Sequence, residues 1–64
     1  MKKELVHVVT AAAMLTVIAT CQPLGLFLCK EGRKCWTAVD NRNGTAWTES
    51  FFSKRKAKSW LRQW

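Results

Sequence analysis

The sequence predicts a small α+β protein, in which an apolar N-terminal helix is followed by a β-hairpin and an amphipathic C-terminal helix. Three observations lead to this fold class. Residues 5–20 contain no charged side chain, an Asn-Gly pair separates two segments rich in β-branched and aromatic residues, and apolar residues recur at helical spacing near the C-terminus. We expect the chain to divide into an apolar segment, 1–28, and a basic module, 29–64.

Residues 5–20 read LVHVVTAAAMLTVIAT, and their few polar members are scattered around a helical wheel. A helix without a polar side lies inside a protein or in lipid, and a chain of 64 residues has little core with which to cover it. The segment is therefore predicted to be a membrane anchor or a signal-like sequence, although Pro23 limits its length as a helix. The alternative is a set of strands in a folded sheet, which would place the protein in the cytoplasm.

Residues 17–21, VIATC, resemble the lipobox of bacterial lipoproteins. In that family the cysteine receives a lipid and becomes the new N-terminus, so the resemblance implies lipidation of Cys21. The sequence departs from the usual pattern at Thr20, where Gly or Ala is common, and at Ile18, where Leu is common.

The cysteines follow the spacing C-x7-C-x5-C, which leaves one thiol over if a disulfide forms. Cys29 and Cys35 are the predicted pair, and such a bridge would persist in an oxidising compartment. Three reduced thiols in a cytosolic protein are the alternative. No C-x-x-C pair is present and His7 has no partner ligands nearby in sequence, so no metal site is predicted.

Residues 34–40 and 45–51 are predicted to be the two strands of the hairpin, because the connection between them contains an Asn-Gly turn signal. Residues 24–29 are available as a third strand. Trp36 and Trp47 lie on the two strands, where they are predicted to form either part of the core or an aromatic surface.

Ser53 is the predicted N-cap of the C-terminal helix, and Phe52 is placed to pack onto Ala57 across that cap. The apolar residues of the helix form one stripe: Ala57, Trp60, Leu61 and Trp64. The predicted anion-binding or partner-binding residues are the cations of this helix and one cation of the turn: Lys54, Arg55, Lys56, Lys58, Arg62 and Arg42. Three of them occupy the first helical turn, where free N–H groups also favour an anion. A solvated run of charge is the alternative.

The predicted hairpin and the following FSKRKAKSWL resemble the small sheet-plus-helix arm-binding domains at the N-terminus of phage integrases. In that family the helix begins after a Phe and carries a similar Lys-Ala-x-x-Trp-Leu rhythm, while the sheet enters DNA. The resemblance covers about thirty residues. It implies that Trp36, Arg42 and Trp47 would face nucleic acid.

The net charge of +7 is concentrated after residue 29 and favours a polyanionic partner. The first hypothesis is a non-enzymatic, membrane-associated basic protein of the bacterial inner membrane or envelope, of the kind with which phages or plasmids modulate an envelope target. Its partners would be anionic lipid or an acidic protein surface. The alternative is a phage-type protein that binds nucleic acid, or inhibits a host protein, through its basic C-terminal helix. No catalytic constellation is present, so no enzyme activity, cofactor or small-molecule substrate is predicted.

Overall fold

The computed structural model describes residues 5–62. In chain order the elements are β1 (Val6–Val8), α1 (Ala11–Thr20), β2 (Gly25–Gly32), β3 (Cys35–Asn41), β4 (Trp47–Phe51) and α2 (Lys54–Leu61). The strands form one mixed sheet in the order β1-β2-β3-β4. β1 is parallel to β2, and the other neighbouring strands are antiparallel.

The helix α1 has a local signal at each end. The Thr10 hydroxyl caps it by accepting a hydrogen bond from the backbone N–H of Ala13 at 3.1 Å. Helix-favouring alanines follow the cap, and α1 ends where Cys21 adopts a left-handed backbone with φ of 56°. Because β1 and β2 are parallel, a crossover must join them, and α1 supplies it.

The core has two layers, because consecutive residues of a strand point to opposite faces of the sheet. The layer toward α1 contains these buried side chains: Met14, Val17, Phe27, Cys29 and Val39. The layer toward α2 contains these: Leu26, Leu28, Ala38, Ala57 and Leu61. The sheet therefore lies between two helices, one packed on each face.

The predicted fold class was wrong. Residues 5–20 do not form a helical anchor outside a hairpin module; they supply a strand and a ten-residue helix to a four-stranded sheet. The chain can cover α1 because only one side of it needs cover: Val17 is buried, whereas Leu15 is 68% exposed. β2 crosses the boundary predicted between residues 28 and 29. No helix within residues 5–62 has the length and apolar character required to cross a bilayer.

The predicted processing before Cys21 would remove β1 and α1, and with them Met14 and Val17 from the core. Cys21 itself is half-buried at the end of α1.

All three cysteines are free thiols, so the predicted pair is not bridged in this structure: Cys29 is buried and Cys35 is exposed. Burial, and secondarily the charge of Glu31, raises the pKa of the Cys29 thiol, which lowers its reactivity.

The start of α2 confirms one local prediction and corrects another. The Ser53 hydroxyl caps the helix by accepting a hydrogen bond from the N–H of Lys56 at 3.2 Å. The predicted packing of Phe52 onto Ala57 is not formed, because Phe52 is 79% exposed. Its neighbour Phe51 instead packs on Trp60, with 5.8 Å between ring centroids. Trp64, predicted in the same apolar stripe, lies outside the described residues.

Candidate functional site

The register of the strands brings two distant segments to the same end of the sheet. Trp36 pairs with Lys30 on one side and with Phe51 on the other. The β2–β3 turn and the junction of β4 with α2 therefore lie at one end. We name this the basic end, and define it by six exposed cations: Lys30, Arg33, Lys34, Lys54, Arg55 and Lys56.

Trp36 joins the two segments of the basic end. Its side chain is half-buried and packs against the core layer that faces α2. The Nζ atoms of Lys30 and Lys54 lie 5.9 and 5.6 Å from the centroid of its ring. Cation–π attraction favours both contacts, and so holds two like charges beside one aromatic surface.

Among the described residues, no carboxylate forms an ion pair with a cation of the basic end. Within residues 5–62 the one ion pair joins Asp40 to Arg42, and it lies toward the opposite end of the sheet. Glu31, near the end of β2, is the one carboxylate of residues 30–34, and the first turn of α2 has no acidic residue. The helix dipole disfavours cations in the first turn of a helix. The positive charges of Lys54, Arg55 and Lys56 therefore do not stabilise α2.

The structure brings together three of the six predicted binding residues and separates the others. Lys54, Arg55 and Lys56 belong to the basic end. Lys58 lies further along α2, which runs away from that end, and Arg62 is the residue that caps its C-terminus. Arg42 lies in the β3–β4 turn at the opposite end, where its Nε and Nη2 donate to the two carboxylate oxygens of Asp40 at 3.0 and 2.8 Å.

The two predicted aromatic residues also separate. Trp36 lies at the basic end, whereas Trp47 pairs with Asp40 toward the opposite end and is 61% exposed. Trp47 lines a cleft of about 610 Å³ together with Asp40, Arg42, Asn43 and Trp60.

Both predicted tryptophans stand on the face of the sheet toward α2, and α1 packs on the other face at β2 and β3. Neither face of the central strands is bare, which differs from the arrangement that the integrase resemblance implies.

Sequence reasoning missed Lys30, Arg33 and Lys34 as partners of the α2 cations. They precede Lys54 by twenty residues or more, and only the register of three strands brings them near it. The sequence feature that could have indicated these three cations is the charge run KEGRK at residues 30–34, which lies between two segments of strand-like composition. Phe52 was also missed, because its place beside a helix cap suggested packing rather than exposure.

The carboxyl group of Asp40, at the opposite end of the sheet, makes the stability of the folded protein depend on pH. Hydrogen bonds from Arg42 lower the pKa of the Asp40 carboxyl in the folded protein, an effect that burial partly opposes. Because the ordinary pKa of Asp in an unfolded chain is about 3.9, this contribution to stability is complete above about pH 4 and is lost as the pH falls through the folded-state pKa.

We expect the wild type to be more stable than Asp40→Asn at neutral pH, and the difference to shrink at acid pH. The measurement is the thermal midpoint of both proteins from neutral pH to below pH 3. Glu49→Gln, which removes an exposed carboxylate on β4, is the matched control. A difference that stayed constant across this range would show that the Asp40–Arg42 pair does not contribute in this way.

Comparisons of the chain with protein-family models, with curated proteins and with solved structures found no significant match. Within residues 5–62 no group of three or more His, Cys, Asp or Glu side chains is arranged to hold a metal ion. The fold and the site define a small protein with a mixed four-stranded sheet between two helices and a cationic, aromatic-bearing end.

Proposed function

We propose that this protein binds nucleic acid, through contacts of the basic end with the phosphate backbone. The observation that carries the proposal is the convergence of Lys30 and Lys54 on Trp36. The basic end that contains this ring has six exposed cations, and Glu31 is the one carboxylate among residues 30–34 and 54–56. Cations that lack carboxylate partners are available to neutralise phosphates, and phosphate contacts supply most of the affinity of sequence-independent binding.

Anionic lipid fits this surface less well than nucleic acid does. Peripheral membrane proteins combine cations with an apolar surface on the side that enters the headgroup region. Here the large exposed apolar side chains are dispersed. Leu15 and Ile18 lie on α1, across the sheet from α2, and Leu24 and Trp47 lie toward the opposite end. Val8 lies on the edge strand β1, and Leu5 immediately precedes that strand. At the basic end, Phe52 is the one exposed large apolar side chain among the described residues.

The salt dependence of binding tests the proposal. We expect Lys30→Ala/Lys54→Ala to reduce the slope of log K against log salt concentration by about 0.7 to 0.9 for each phosphate that the protein no longer neutralises. The measurement is fluorescence anisotropy of a labelled oligonucleotide across a series of salt concentrations. The fold should persist, because both residues are exposed and removing Lys54 relieves an unfavourable interaction with the helix dipole.

Lys58→Ala/Arg62→Ala is the matched control, since it removes the same charge from α2 beyond the basic end. Its slope should stay close to that of the wild type. Equal slopes for the two double variants would contradict the basic end as the contact surface. Binding to anionic vesicles without binding to oligonucleotides would assign the surface to lipid instead.

A further inference from the structure

Phe52 is the residue of the basic end that packing does not explain. Its side chain is 79% exposed, the largest exposed fraction among the large hydrophobic residues described. The neighbouring Phe51 makes the contact with Trp60 that joins β4 to α2. Phe52 thus keeps an aromatic ring largely in water, where it contributes little to the core.

The register places Phe52 at the same end of the sheet as the cations. Phe51 pairs with Trp36, so the antiparallel strands bring Phe52 to the level of Cys35, next to the β2–β3 turn. Cys35 is itself exposed, and Lys54 begins α2 two residues after Phe52. The exposed ring and the cations therefore share one end of the molecule.

We infer that Phe52 is a stacking platform for an unpaired base, and that the ligand of the basic end is single-stranded nucleic acid. This inference rests on the proposed function. An exposed aromatic ring offers a face on which a base can stack, whereas the bases of a duplex are already stacked on one another. The cations at the same end of the molecule then contact the phosphates that flank the stacked base.

Single strands suit this end of the protein better than a duplex for a second reason. Sequence-tolerant binding of single strands combines cations along the backbone with aromatic side chains that take successive bases. The basic end has both components from segments that meet only in the fold: cations from the β2–β3 turn and α2, and the Phe52 ring from the junction after β4.

The test compares Phe52→Ala with the wild type on a labelled oligothymidylate and on a duplex. We expect Phe52→Ala to weaken binding to the oligothymidylate by about fivefold to a hundredfold, and to change duplex binding by less than about twofold. Phe52→Trp should bind the oligothymidylate at least as tightly as the wild type, because its ring is larger. Circular dichroism checks that the variants are folded. We expect them to fold, because the Phe52 side chain is exposed.

Trp47→Ala is the matched control, because it removes another exposed aromatic ring toward the opposite end of the sheet. It should leave oligothymidylate binding unchanged. Equal weakening on oligothymidylate and duplex, no weakening in Phe52→Ala, or the same weakening in Trp47→Ala would each overturn the stacking inference. These results leave the proposed function standing as long as the wild type binds with a steep salt dependence; a wild type that binds neither probe overturns both.

Discussion

Val17→Lys is expected to unfold the protein. Val17 is 3% exposed and belongs to the core layer between α1 and the sheet, with Met14 and Phe27. A lysine there would bury an ammonium group without a partner, at a cost of several kcal/mol. The whole stability expected for a chain of this length is only about 3 to 10 kcal/mol. The measurement is the free energy of unfolding in urea, followed by circular dichroism.

Leu15→Lys is the matched control on the same helix. Leu15 is 68% exposed, so its replacement should change the free energy of unfolding by about 0.5 kcal/mol or less. The pair also separates the folded helix from the membrane anchor that the apolar sequence indicated. A charge would disrupt a lipid-embedded helix at either position, so equal destabilisation of the two variants would contradict the packing of α1 on the sheet.

Asn41→Ala is expected to have the second large effect. Asn41 is fully buried, and its side-chain amide joins two loops at the end opposite the basic end. Its Nδ2 donates to the backbone carbonyl of Pro23 at 2.7 Å, and its Oδ1 accepts from the N–H of Ala46 at 3.1 Å. Alanine would leave both backbone groups without this partner, at about 1 to 3 kcal/mol each. We expect the free energy of unfolding in urea to fall by about 2 to 5 kcal/mol in total.

Asn43→Ala in the same turn is the control for that substitution. The Asn43 side chain is exposed and accepts a hydrogen bond from the N–H of Thr45 at 3.1 Å, where water can replace it. Its free energy of unfolding should fall by about 1 kcal/mol or less. If the two alanine variants unfolded at the same urea concentration, the joining of the loops by Asn41 would not be a principal contribution to stability.

The anchor prediction failed for a reason that the core layers make clear. The absence of a polar side on residues 5–20 was interpreted as a requirement for complete cover. The structure instead leaves Leu15 and Ile18 at the surface, 68% and 39% exposed, and buries only one side of α1. Exposed apolar residues are common on folded proteins, so a missing polar side does not require lipid.

The candidate site was predictable only in its α2 part. Lys54, Arg55 and Lys56 are consecutive, and the Ser53 cap places them together in the first turn of a helix. Their meeting with Lys30 depends on how β2, β3 and β4 pair. A shift of one residue in that pairing would send Trp36 to the other face of the sheet, and the two lysines would no longer converge on its ring.

The sequence by itself determined the excess of positive charge after residue 29, the Ser53 cap and the amphipathic pattern of α2, because these depend on neighbours within a few residues. Only the tertiary structure decided that residues 6–20 supply an edge strand and a helix packed on the sheet, and that the β2–β3 turn lies at the same end as the start of α2. Both depend on contacts between residues far apart in the chain, including the parallel pairing of β1 with β2 across a helical crossover. No local pattern encodes such pairing, since its free energy comes from apolar surface that is buried only once the whole sheet has formed.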